Sequence, residues 1–81
     1  MSQYLIMCRS LTYAQRAASL LEGRGIRASV VKAPQSLTGK GCGYALRLYR
    51  SIDQARAILS RAQLLQGDIY LRRDDGAYEQ L

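Results

Sequence analysis

Tyr44-Ala45-Leu46-Arg47-Leu48-Tyr49 is the stretch on which the fold turns. Tyr44, Leu46 and Leu48 alternate with Ala45, Arg47 and Tyr49, the two-residue period of a strand. Just downstream, Ser51 and Gln54 have capping-box spacing, and Ala55, Ile58, Leu59 and Ala62 recur as the buried stripe of a helix. Gly67 and Asp68 then turn the chain into a last strand, Ile69 to Arg72. Arg73-Asp74-Asp75-Gly76 reads as a turn into a polar tail expected to lack fixed structure.

Upstream of Tyr44 the pattern is similar. Tyr4 to Cys8 reads as a short, largely buried strand. Ser10 or Thr12 can cap the helix that follows, with Gln15 completing a capping box from Thr12. That helix runs from about Leu11 to Glu22. Ala14, Ala17, Ala18 and Leu21 point inward, and Gly23 and Gly25 end it. Ile26 to Lys32 is the second strand, with Ile26, Ala28 and Val30 on one face and Arg27, Ser29 and Val31 on the other; Pro34 stops it. Ala33 to Gly43 is a long loop rich in Pro, Ser, Thr and Gly, a kind of segment that is commonly functional or mobile. The order strand, helix, strand, strand, helix, strand predicts an α+β ferredoxin-like βαββαβ sandwich, a four-stranded antiparallel sheet with two helices on one face. Residues 1–73 form the single domain and 74–81 the polar C-terminal tail.

Composition removes several chemistries. An 81-residue chain has one modest core and little room for a deep active site. It has no histidine, which excludes a histidine-activated nucleophile and histidine acid/base catalysis. Two cysteines are too few for a disulfide scaffold or an all-cysteine zinc site, so neither metal nor cofactor is expected. No stretch has the length of a signal-peptide core or membrane span, which predicts a cytoplasmic protein with reduced thiols and no membrane partner. Twelve Lys and Arg against six Asp and Glu give a net charge of +6, admitting nucleic acid, an acidic protein or an anionic metabolite as partner. The cations are spread along the chain, the pattern of a solvated basic surface.

Candidate chemistry concentrates in Gly39-Lys40-Gly41-Cys42-Gly43. Glycines on both sides leave the Cys42 thiol open to a partner, and Lys40 and Arg47 are the nearest cations in sequence that favour its thiolate. Successive N–H groups at Gly41 and Gly43 suit a small anion nest, with a plain turn as the alternative. The glycines do not make a Walker A loop, because they lead into a strand and Lys40 precedes Cys42. In the expected topology strands one and three are central neighbours, which brings Cys8 and Cys42 to one rim beside the positive amino end of the first helix. Against this stands the reading of Cys42 as a small apolar residue at a strand start.

The chain resembles the selenium/sulfur carrier protein-like family through Tyr4-Leu5-Ile6, Cys42-Gly43-Tyr44-Ala45-Leu46-Arg47 and Ile69-Tyr70, over nearly the whole domain to about Arg72. The resemblance implies a cysteine, Cys42, that carries sulfur or selenium as a persulfide or selenopersulfide between a donor and an acceptor protein. Gly43 is its motif partner. Lys40, Gly41, Gly43 and Arg47 form its expected surroundings, and any enzymatic role is at most this transfer. Cys8 stands where that family commonly has an aromatic residue, so a second thiol is not implied; it reads as a buried strand residue, or else as a resolving partner for Cys42.

Two other classes of function stay open. An RNA-binding module on this fold would stack bases on Tyr49 and Tyr70 beside Arg47 and Arg72, although the aromatic RNA-recognition signature is absent. A regulatory or dimerisation domain would use some of the six tyrosines at an interface between two copies.

Overall fold

The computed structural model of the chain describes residues 3–38, 43–65 and 67–81. Its elements are β1 (Gln3–Cys8), α1 (Leu11–Gly23), β2 (Ser29–Lys32), α2 (Gln35–Thr38), β3 (Tyr44–Leu48), α3 (Ile52–Arg61), β4 (Ile69–Arg72) and β5 (Tyr78–Gln80). The fold is α+β. One sheet, in the order β2-β3-β1-β4-β5, is antiparallel at every junction.

The expectation of four strands is corrected to five. After β4, Arg73 to Gly76 turn the chain back, with Gly76 at φ +88° and its N–H donating to Arg73 O. Tyr78–Gln80 then pair with Tyr70–Arg72. The side chains of Arg73 and Glu79 close the hairpin at 2.6 Å. Three polar-leaning residues do not announce a strand. The edge of β4 supplies the hydrogen-bond partners that make them one. The long loop also holds a single turn of helix, α2, started by Leu37 N–H donating to Pro34 O.

The sheet has two unlike faces. On one, Ile6, Cys8, Leu46, Leu48 and Ile69 meet Ala14, Ala17 and Leu21 of α1 and Ala55 and Leu59 of α3. Ile6, Leu21, Leu46, Leu48 and Leu59 are completely buried there, and each such side chain contributes roughly 1.5–3 kcal/mol on burial. Ala14 and Ala17 let α1 approach the sheet closely, and α3 packs beside α1. On the other face Leu5, Ala33 and Ala45 are buried under Met7, Val31, Leu37 of α2 and Tyr78 of β5. The face opposite the two long helices is therefore partly roofed by the two short elements.

At the helix ends some sequence expectations hold and others do not. Ser10, rather than Thr12, caps α1, accepting from Tyr13 N–H at 3.3 Å. The carboxyl end of α1 is a Schellman motif: Ile26 N–H donates to Leu21 O and Gly25 N–H to Glu22 O, with Gly25 at φ +82° and Leu21 and Ile26 both in the core. Ile26, Arg27 and Ala28 thus belong to the helix exit and its approach to β2, not to the strand. A second such exit ends α3, where Leu64 N–H donates to Leu59 O and Gln63 N–H to Ser60 O; here Gln63 takes the left-handed position at φ 59°. Ser51 precedes α3 at φ 63° and its side chain makes no capping bond, so the capping box read from Ser51 and Gln54 does not form.

Candidate functional site

One rim of the sheet gathers the chain segments around the sequence motif. Cys8, the last residue of β1, lies opposite Tyr44, the first of β3, and Tyr44 on its other side lies opposite Lys32, the last of β2. Ala33 N–H donates to Gly43 O at 3.0 Å, which ties the entry of β3 to the exit of β2. At the same rim, Met7 N–H donates to Asp68 O at 2.9 Å, and Ser10 opens α1 two residues after Cys8. The first turn of α1 holds no acidic residue, so the partial positive charge of its amino end is not offset there.

Cys42, Lys40 and Gly41 lie outside the described residues. Gly43 is described and is half-buried at the head of β3. Arg47 is not brought to Gly43. The two are separated by four residues of β3, about 13 Å at strand rise. The Arg47 guanidinium sits 5.8 Å from the centre of the Tyr49 ring, two residues further from the rim. The cations that the described rim carries are Arg9, next to Cys8, and Lys32, opposite Tyr44; both are exposed. Sequence reasoning passed over Lys32, which strand register would have found, since it ends β2 directly beside the start of β3.

Cys8 is buried, 8% exposed, and its thiol points back toward Ile6 O at 3.6 Å. Burial pushes its pKa up, because the thiolate loses hydration and the described surroundings supply no charge to replace it. A thiol so placed is a weak nucleophile at neutral pH.

Of the aromatic residues proposed for base stacking, Tyr49 is 52% exposed, whereas Tyr70 is half-buried in the row formed with Leu5 and Gln80. Among the described residues, no group of three His, Cys, Asp or Glu side chains could hold a metal ion. None of their helices is long and apolar enough to cross a membrane.

Residues 3–71 match the family described as Putative Se/S carrier protein-like. The chain belongs to that family. The match runs from the start of β1 to Leu71 in β4, so this Se/S carrier-like chain adds β5 beyond the matched region. No curated protein and no solved structure matches it.

Proposed function

We propose that the chain accepts sulfur or selenium on the Cys42 thiol and passes it to a second protein. Membership of the Se/S carrier-like family is the observation that carries this reading. The described rim supports it in a second way. Gly43, Lys32, Arg9 and the amino end of α1 gather there, and cations and helix amino ends favour anions such as a thiolate or persulfide.

The chemistry needs no external oxidant or reductant. The Cys42 thiolate attacks the outer chalcogen of a donor persulfide or selenopersulfide, the donor's own bond to that atom breaks, and the donor cysteine leaves as thiolate. In the second step an acceptor nucleophile attacks the same outer atom and the Cys42 thiolate leaves. Each step exchanges one bond to the chalcogen for another. Lys40, Gly41 and Gly43 serve as the anion's surroundings, with Lys32 and Arg9 added from the rim. Donor and acceptor are proteins that meet a basic surface, and charge complementarity would orient them. The setting we propose is cytoplasmic, where thiols stay reduced. In fold terms, β1 to β4 with α1 and α3 read as a ferredoxin-like core extended by the β5 hairpin.

Intact-mass spectrometry after exposure to a persulfide donor tests the proposal. Addition of one sulfur atom to wild type and to Cys8→Ser, and none to Cys42→Ser, is the expected result. Equal loading of Cys42→Ser and wild type would refute it.

A further inference from the structure

A cleft of about 430 Å³ lies around the C-terminal end of β3. Its walls include Arg27 and Ser29 from the approach to and start of β2, Arg47 in β3, and Tyr49, Arg50 and Ser51 from the turn that enters α3. This is the end of the sheet remote from Gly43: six residues of chain, about 20 Å if extended, separate Gly43 from Tyr49. The volume falls in the range of about 300–1,000 Å³ typical of small-molecule sites.

Three guanidinium groups share this cleft, and among the described residues no carboxylate forms an ion pair with any of them. Asp53, the acidic residue in the first turn of α3, does not line the cleft and makes none of these pairs. Arg47 Nε is buried without a hydrogen-bond partner among the described residues. A buried, unpartnered donor costs stability unless something else accepts from it. The amino end of α3 adds N–H groups that the Ser51 side chain leaves uncapped, and Ser51 itself is held in the left-handed region. Three guanidiniums with no carboxylate partner among the described residues, two serine hydroxyls and an open helix start are the chemistry of an oxyanion site.

An aromatic component distinguishes this cleft from a general basic patch. Tyr49 is 52% exposed beside the arginines, with Arg47 near its ring. A flat aromatic surface next to phosphate-binding groups matches a ligand carrying both a base and a phosphate. We infer that this cleft binds a nucleotide unit, with the phosphate on Arg27, Arg50 and the start of α3 and the base against Tyr49. The unit comes either as a free mononucleotide or as part of a single-stranded RNA. The inference does not depend on Cys42.

Amide-resolved NMR titration at low salt with adenosine monophosphate, a short single-stranded oligoadenylate and inorganic phosphate tests this. Saturable shifts confined to Gly25–Ser29 and Tyr49–Asp53 are expected with both nucleotide probes, in Cys42→Ser as in wild type. Replacing Arg27 and Arg50 together by Gln should weaken both by at least about tenfold, as for lost charge-assisted bonds. Tyr49→Leu should weaken nucleotides by about tenfold while leaving inorganic phosphate unaffected. All three side chains are exposed, so these variants should melt like wild type. An oligomer binding much more tightly than the monophosphate identifies RNA as the source, and equal affinity identifies the free nucleotide. Absence of saturable binding, or binding that survives the Arg27/Arg50 substitution, overturns the inference. Equal affinity for phosphate and nucleotide, with Tyr49→Leu silent, overturns its nucleotide part.

Discussion

Replacing Gly67 by Ala should destabilise the domain through a single methyl group. A Cβ built at Gly67 would lie 2.5 Å from Met7 O, 2.9 Å from Met7 Cβ and 3.0 Å from Met7 C. Two of those atoms are main chain in the central strand, so no side-chain rotation relieves the overlap. Either β1 or the turn into β4 must move, which stretches the 2.9 Å bond from Met7 N–H to Asp68 O. Overpacking of this kind costs about 1–3 kcal/mol, and loss of a hydrogen bond adds about 0.5–1.5 kcal/mol. The stiffer unfolded chain offsets about 0.4–1 kcal/mol. A net loss of about 2 kcal/mol follows, which for a domain of this size lowers Tm by roughly 10 °C. Gly23→Ala is the matched control. Nothing lies within 4 Å of its new Cβ, and it sits in the last turn of α1, where alanine is the better helix former, so stability should rise by about 0.5–1 kcal/mol. Thermal and urea denaturation followed by circular dichroism would measure both. A Gly67→Ala protein that melts within a degree or two of wild type would refute the close packing of Gly67 on Met7.

Gln63→Gly should stabilise the protein by up to about 1 kcal/mol, because glycine tolerates the left-handed Schellman position at lower cost; a lower urea midpoint would contradict this. Ser10→Ala should cost about 0.5–1 kcal/mol through loss of the α1 cap whereas Thr12→Ala should be nearly neutral, and the reverse order in thermal melts would return the cap to Thr12. The raised pKa of Cys8 has a signed consequence: the folded state holds the proton more tightly than the unfolded state, so stability is constant well below the ordinary thiol value of about 8.5 and falls as pH rises above it. Cys8→Ala should therefore show a shallower alkaline loss of stability than wild type in urea titrations at pH 7 to 10, and parallel losses would dismiss the effect. In alkylation at neutral pH, native Cys8 should react far more slowly than after unfolding in urea, as its burial requires, and equal rates would show it to be accessible.

The parts of this molecule legible in its sequence are those fixed by local pattern. The stripe Ala14, Ala17 and Leu21, the alternation from Tyr44 to Leu48 and the strand Ile69–Arg72 each state their own conformation, and the structure has them in place. Features fixed by a neighbour were hidden. Tyr78–Gln80 become a strand because β4 offers an edge, and Leu37 takes a helical turn over Leu5 and Ala45 although its surroundings read as loop. Ser51 shows the limit of motif reading: its spacing to Gln54 fits a capping box, yet after β3 it sits in the left-handed region and its hydroxyl makes no capping bond. Arg47 shows the reach of an extended strand: four residues of β3 place it about 13 Å from Gly43. The rim was legible because topology predicted it, but its cations, Arg9 and Lys32, emerge only once the register of β1, β2 and β3 is known.

The position of β1 at the middle of the sheet also sets a schedule for the growing chain. As the polypeptide leaves the ribosome, this strand emerges before either neighbour, β3 at residues 44–48 and β4 at 69–72, exists. Until then Leu5-Ile6-Met7-Cys8 has no sheet to enter, and such exposed apolar segments are the sticky species of a folding reaction. The α1 helix, made immediately afterward and carrying the alanine stripe against which Ile6 and Cys8 will finally pack, is the first surface within reach. The time between synthesis of the first and third strands is therefore the interval in which this segment stays without its sheet neighbours.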